Sequence, residues 1–297
     1  MDGEKKDSDL PGGNPQGRRR VLGAELRGLR LGRGLTAEEA GRGIERSGSW
    51  ISRIEGGKIR IRTRELNDLL DVYGVANHSR RTFLESLAIE GRQRTWWSSY
   101  RDVVGENYAV FIGLEQAAAR IFEYQERVVP GLLQTESYMR ALLGSYGVVS
   151  EWAVGAEQAE RLVQVRLTRQ ELLRQPPRPA LSVVIDESVV RRVVGNPDVH
   201  SAQLKALLAC SEWMELRVFP FRGPVGAVAV SSFAILWAPG GTSAAYEEHL
   251  SRSALYDGPL AAPYVEMADW LVSNALSKGN SERLIMMAIK EMDRRNS

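Results

Sequence analysis

The stretch Leu35–Lys58, LTAEEAGRGIERSGSWISRIEGGK, decides how the rest of the chain is read. It divides into a short helix, a tight turn and a second short helix. Thr36 with Glu39 three residues later is a capping box opening the first helix. Ala40 and Ile44, four apart, share its inward face. The turn falls at Glu45-Arg46, and Ser47 caps the second helix. There Ile51, Ile54 and Glu55 keep helical spacing before Gly56-Gly57 end it. Two helices joined this closely must cross steeply, and Ala40 with Gly43 supply the small residues such a crossing needs. Ser49, Trp50, Ser52 and Arg53 then face outward, with Lys58 just beyond.

A short outward-facing helix held by a steep partner is the geometry that enters a DNA major groove. The candidate DNA-contacting residues are Thr36, Arg46, Ser47, Gly48, Ser49, Trp50, Ser52, Arg53, Lys58 and Arg60. Charge supports the placement. Residues 16–64 hold 13 Lys and Arg against 5 Glu, a surplus of eight in a chain whose total is +2, so the remainder carries −6. A basic module beside an acidic body attracts phosphate at one end only.

The run Gly34-Leu35-Thr36, Ala40 and Ile51-Ser52-Arg53-Ile54-Glu55-Gly56-Gly57 resembles the Cro/C1-type (xenobiotic-response-element) helix-turn-helix regulators. That resemblance implies a five-helix all-α DNA-binding domain, double-stranded DNA as partner, and a homodimer on two half-sites. Three positions depart from the family pattern. Ala37 stands where a phosphate-binding Gln is common, and Gly48 and Ser49 stand where long polar readers are common.

The composition frames the rest. With 297 residues and 43% hydrophobic content, the chain is long enough for two domains. Cys210 is the single cysteine, so no intrachain disulfide forms, which fits a reducing cytoplasm. No apolar run has the length of a signal peptide core or a membrane span. The expected organisation is a disordered tail at 1–17, a DNA-binding domain at 18–75, a linker helix at 76–95, and a larger α+β domain at 96–297.

Outward from the central stretch, Val21, Leu22, Leu26 and Leu29 form the buried stripe of a leading helix, with Arg27, Arg30 and Arg33 off it and within reach of phosphates. Thr63 caps the helix that follows the motif, carrying Leu66, Leu69, Leu70, Val72 and Tyr73. The linker helix, from Asn77 to Gln93, carries Phe83, Leu84, Leu87 and Ile89. Trp96-Trp97 read as packing residues. Helices are expected at Val110–Tyr124, Glu136–Leu143, Ala156–Arg174, Pro197–Cys210, Tyr264–Ser277 and Ser281–Arg294. Strands are expected at Leu181–Ile185, Leu216–Phe219, Phe233–Trp237 and Ala245–Leu250. A small sheet crossed by helices makes the second domain α+β.

The ordered pieces Trp96-Trp97, Gly113-Leu114-Glu115, Glu123-Tyr124, Val129-Pro130-Gly131-Leu132-Leu133-Gln134-Thr135, Tyr138, Arg169-Gln170, Asp186-Glu187, Arg191-Arg192, Val194-Gly195, Gln203-Leu204 and Val218-Phe219-Pro220 carry a second resemblance. They are similar to the large C-terminal domain, of unknown function, that follows Cro/C1-type motifs in actinobacterial regulators. Those proteins resemble antitoxins and are usually encoded beside a small partner protein. The resemblance implies a C-terminal domain that dimerises and binds such a partner.

Catalysis finds little support. The chain has no Gly-x-Ser-x-Gly elbow, no Gly-x-x-x-x-Gly-Lys loop and no His-Glu-x-x-His. His78, His200 and His249 are scattered, so neither a metal site nor a cofactor is expected. Cys210 sits in an apolar helix as a small hydrophobe. Asp186-Glu187 cap a following helix or pair with Arg191 or Arg192; acid–base chemistry is the alternative. A small-molecule sensor, with its ligand between the sheet and Trp96-Trp97, is the remaining alternative function.

Overall fold

The computed structural model describes residues 15–92, 95–145, 155–224, 231–238, 243–248 and 253–295. They divide into two compact units, separated in sequence between Ser99 and Tyr100. An all-helical first unit precedes a second unit of mixed sheet and helices, which is the α+β class expected. Of the tail expected at 1–17, residues 1–14 lie outside the described residues, and Pro15, Gln16 and Gly17 belong to the first helix.

The first unit contains α1 (Pro15–Gly32), α2 (Ala37–Arg42), α3 (Gly48–Glu55), α4 (Thr63–Val72) and α5 (His78–Glu90). Its core joins Leu22 and Leu26 of α1 to Ile51 and Ile54 of α3, Leu66, Leu69 and Leu70 of α4, and Leu84 and Leu87 of α5. The helix read as a linker is therefore the fifth element of this core, and Gln93 at its expected end lies outside the described residues. Val21, assigned to the buried stripe of α1, is exposed, as are Phe83 and Ile89 of α5. The cap of α4 also differs: Arg62 is the N-cap, and its N–H donates to the Glu65 carboxylate at 3.0 Å, while Thr63 is the first helical residue. A 3-10 turn, Trp96–Tyr100, follows, with the two indoles edge to face at 5.5 Å.

The second unit is built on a six-stranded sheet of order β3-β2-β1-β4-β5-β6. The strands are β1 (Arg120–Gln125), β2 (Ala180–Asp186), β3 (Glu215–Phe219), β4 (Phe233–Trp237), β5 (Ser243–Glu248) and β6 (Ser253–Asp257). β1, β2 and β3 run parallel, with Ile121 opposite Leu181 and Val183 opposite Leu216. β4, β5 and β6 continue the sheet as an antiparallel meander. The helices are α6 (Glu106–Ala117), α7 (Glu136–Ser145), α8 (Ala156–Arg174), α9 (Glu187–Arg191), α10 (Pro197–Cys210), α11 (Ala262–Asn274) and α12 (Lys278–Arg295).

Both faces of this sheet are covered. Ile121, Val183 and Val218 meet Leu204 and Leu207 of α10 and Ile285 and Ile289 of α12 on one face. Phe122, Val184 and Phe233 meet Ala268 and Leu271 of α11 on the other. The double cover explains a misassignment. The expected helix Val110–Tyr124 ends at Ala117, and its last residues form β1, in which Ile121, Phe122, Glu123 and Tyr124 are all buried. A strand buried on both faces loses the alternation that marks a half-buried one, and the run Ala117-Ala118-Ala119 hides the helix end. β6 went unread because SALYD is short and shows no alternation; at the edge of the sheet it is only partly buried. Of the expected strand Ala245–Leu250, His249 and Leu250 lie outside the described residues.

Candidate nucleic-acid interface

Sequence chemistry positions α3 at both of its ends. The Ser47 Oγ accepts from the Trp50 N–H at 3.2 Å, capping the N-terminus. Thr36 and Glu39 form the reciprocal box that opens α2: the Thr36 N–H reaches the Glu39 carboxylate at 2.8 Å, and the Glu39 N–H reaches Thr36 Oγ1 at 3.2 Å. That bonding pulls the exposed Glu39 carboxyl below its usual pKa. Glu38 on α2 accepts from the Gly48 N–H at 3.1 Å, tying the two motif helices together.

Gly48 is buried at this contact. A Cβ there would lie 2.1 Å from the Glu38 carboxylate and 3.0 Å from the Glu38 nitrogen. Gly48 is therefore a packing residue and leaves the list of candidate contacts. Gly41 is fixed similarly, since a Cβ there would sit 2.5 Å from the Arg46 carbonyl. Between them the turn places Glu45 at φ +56°, in the left-handed region.

The far end of α3 is held by α1. Arg30 is buried and forks onto Glu55, with Nε–Oε1 at 2.6 Å and Nη2–Oε2 at 2.9 Å, while its Nη1 donates to the Leu35 carbonyl at 2.7 Å. Gly23 lets the backbones approach, because a Cβ there would fall 2.2 Å from the Glu55 carbonyl oxygen. Arg30, expected to reach phosphates, is thus a staple. Arg33 is another: its Nε and Nη2 donate to the Tyr73 and Gly74 carbonyls at the end of α4. Such cations complement the unsatisfied carbonyls of a helix C-terminus. Arg27 alone of the three is exposed without a structural bond of this kind among the described residues.

The outward side of α3 presents Ser49, Ser52 and Arg53, with Lys58 and Arg60 exposed after it. Ser52 Oγ also donates to the Gly48 carbonyl at 3.0 Å, and Ser47 and Ser49 share a hydroxyl contact at 2.9 Å. Trp50 is half-buried against the core, and the Arg46 guanidinium lies 5.6 Å from its ring centre while bonding Glu65 at 2.6 Å. Trp50 and Arg46 therefore brace the edge of α3. Arg19, part-buried, donates to the Gly91 carbonyl at 2.7 Å. Its pKa is lowered by burial and by the neighbouring Arg60.

Polar residues of the second unit turn inward. The loop from Val129 to Thr135 is pinned by four side chains. Tyr138 Oη accepts from the Val129 N–H, and Gln134 donates to the Val129 carbonyl. Gln170 donates to the Gly131 and Gln134 carbonyls, and Gln203 bridges the Leu133 carbonyl and the Thr135 N–H. Arg169 forks onto Glu115 at 2.5 and 2.8 Å and donates to Tyr108 Oη at 2.5 Å. Burial opposes its charge, yet Glu115 and Tyr108 hold it protonated well above the ordinary guanidinium range. Glu123, on the central strand, is pushed up to about 7 by burial, against the opposing pull of the Gln125 amide and Arg169.

The residues considered for catalysis have structural partners. Asp186 accepts from the Ser188 N–H at 2.8 Å and caps α9. Glu187 accepts from the Phe221 N–H at 3.0 Å and from Arg191 at 3.2 Å. His200 is buried beside the Val190 carbonyl, and burial lowers its pKa. Burial likewise raises the Cys210 thiol. Among the described residues, no three His, Cys, Asp or Glu side chains converge on a point, and no helix is long and apolar enough to cross a membrane. His249 lies outside the described residues.

These features define a helix-turn-helix DNA-binding unit of a regulator, and a helix-turn-helix domain model matches residues 21–83. A model for a domain of unknown function (DUF5753) matches residues 108–287, more than half of the chain, and the chain belongs to that family. No curated protein and no solved structure matches it.

Proposed function

We propose that the protein is a Cro/C1-type transcriptional regulator that lays α3 in the major groove of duplex DNA and acts in the cytoplasm. Ser49, Ser52 and Arg53 face base edges, while Thr36, Ser47, Lys58 and Arg60 lie toward phosphates, and Arg46 and Trp50 hold the helix edge in place. The observation that carries this reading is the division of arginines. Arg30 and Arg33 are engaged inside the unit, while Arg53 stays exposed on the outward side of a helix anchored at both ends.

A single motif helix covers few base pairs, so the protein acts as a homodimer on paired half-sites. Its second unit is antitoxin-like and receives a small protein encoded by a neighbouring gene. The ordered match of the second unit to its family supports this part by analogy alone.

Fluorescence anisotropy with duplex DNA from upstream of its own gene tests the interface. Arg53→Ala weakens binding by about tenfold, equivalent to roughly 1.4 kcal/mol, with an unchanged melting temperature. Equal affinity in the folded variant removes α3 from the groove. Sedimentation and co-purification with the neighbouring gene product test the dimer and the partner; a monomer, or a product that elutes alone, discards each in turn.

A further inference from the structure

A cavity of about 280 Å³ opens in the second unit between the Val129–Thr135 loop, α8, α10 and the start of β2. Its walls are Ile121, Leu132, Leu167, Leu173 and Leu181, with Trp213, partly exposed, at one side. Trp96 and Trp97 are not among its lining residues, so a ligand seated here is not held as the sequence suggested.

We propose that this cavity binds a small monocarboxylate with an apolar body, its carboxylate held by Arg174. The size lies at the lower end of small-molecule sites, roughly 300–1,000 Å³. The apolar walls suit a hydrocarbon or aromatic body, and polar residues lie along the loop side. There the side chains of Gln134, Gln170 and Gln203 hold the backbone, so the site is formed before a ligand arrives. A preformed site avoids the ordering entropy that weakens binding.

Charge selects the head group. Two charged residues line the cavity, Arg174 and Glu136. Glu136 already accepts from Arg140 through Nη2 at 2.7 Å and Nε at 3.0 Å, a guanidinium it shares with Glu160, so its carboxylate is engaged by an arginine before any ligand arrives. Arg174 has no ion pair among the described residues, and its field reaches Cys210, where it opposes the effect of burial on the thiol. A guanidinium at the edge of an apolar pocket matches one planar carboxylate. An amine meets the wrong charge, and a phosphate ester leaves the leucine walls unfilled.

Isothermal titration of the full chain with octanoate, octanol and octylamine tests this. Octanoate binds saturably at one site, octanol more weakly, and octylamine does not bind. Arg174→Gln weakens octanoate by about tenfold and leaves octanol unchanged. Ala206 of α10 also lines the cavity; Ala206→Phe fills it and abolishes octanoate binding, with circular dichroism verifying the fold, and if it unfolds, Ala206→Leu serves the same purpose. Absence of saturable octanoate binding, octanoate binding by Arg174→Gln at wild-type strength, or octylamine binding as tight as octanoate overturns the assignment.

Discussion

Both units bury a forked arginine–glutamate pair, and the two pairs stand in different surroundings. Arg30–Glu55 joins α1 to α3, with about a tenth of each side chain still reaching solvent. Arg169–Glu115 joins α8 to α6 with side-chain exposures of 6% and 1%, against Tyr108 and Phe111 and near a further carboxyl, Glu123. The first pair is balanced by itself and fixes the angle of an exposed helix. The second belongs to a wider buried set in which burial raises the pKa of one acid, Glu123, to about 7. Where the surroundings are wetter, an ion pair serves as a positional clamp; where they are dry, the same burial that encloses the pair also raises the pKa of the acid beside it.

That contrast can be broken most severely at Glu115. Glu115→Leu leaves Arg169 charged and unpaired in the dry core, and costs about 3–5 kcal/mol in urea unfolding. The double variant Glu115→Leu/Arg169→Met recovers most of it, because an apolar pair of similar volume replaces the ions. A double variant as unstable as the single would mean that the pair stabilises the unit in its own right.

Glu123 offers the next largest effect. Its folded pKa of about 7 exceeds the ordinary 4.5, so the native state holds a proton that the unfolded state has released between those values. Stability from this group is therefore fully present below about pH 4.5 and falls as pH rises to about 7, by roughly 3 kcal/mol in total. Glu123→Gln keeps an acceptor for Gln125 and flattens this segment of the stability–pH curve, leaving the variant more stable than the parent at pH 8. A slope that persists in the variant assigns the titration to another group.

In the wetter pair the loss is smaller. Arg30→Met costs about 2 kcal/mol, since water reaches Glu55 when the guanidinium is gone. Its sharper effect falls on DNA: anisotropy shows weaker binding although no exposed residue has changed. Undiminished affinity would show that α3 keeps its orientation without the clamp. The smallest change is Glu45→Gly, which relieves a left-handed backbone at the motif turn and stabilises the first unit by about 0.5–1 kcal/mol. A lower melting temperature would mean that the glutamate side chain contributes more than the strain removes.

The two units also differ in how far they could be read from sequence. The first shows its local signals on the surface of the sequence. Thr36-Glu39 and Ser47 are caps whose partners lie three residues away, and the structure has them bonded as expected. Long-range roles were not visible there: Arg30 and Glu55 are 25 positions apart, and nothing local distinguishes Arg30 from Arg27. Gly23 carried a weak clue, as a glycine inside a helical pattern often marks a close approach. Gly48 misled, because its position on the second helix suggested a groove contact whereas its missing Cβ admits Glu38.

In the second unit, the expected helices Ala156–Arg174 and Pro197–Cys210 agree with α8 and α10 at both ends, since prolines at 176 and 177 stop the first and Pro197 opens the second. The central strand β1 was lost because its neighbours bury both of its faces. The cavity was beyond reach from the sequence alone, since its walls come from β1, β2, the 129–135 loop, α8 and α10, and no short pattern unites them.

Closing one border of the sheet has a consequence for assembly. On β3, the Val218 carbonyl accepts from the Leu276 N–H at 2.9 Å, and the Val218 N–H donates to the Ser281 hydroxyl at 2.9 Å. An incoming strand from another molecule would have to displace both bonds before it could pair there. Edge-to-edge extension at Val218 is thereby opposed, and a partner approaching this part of β3 meets the start of α12 before it meets bare backbone.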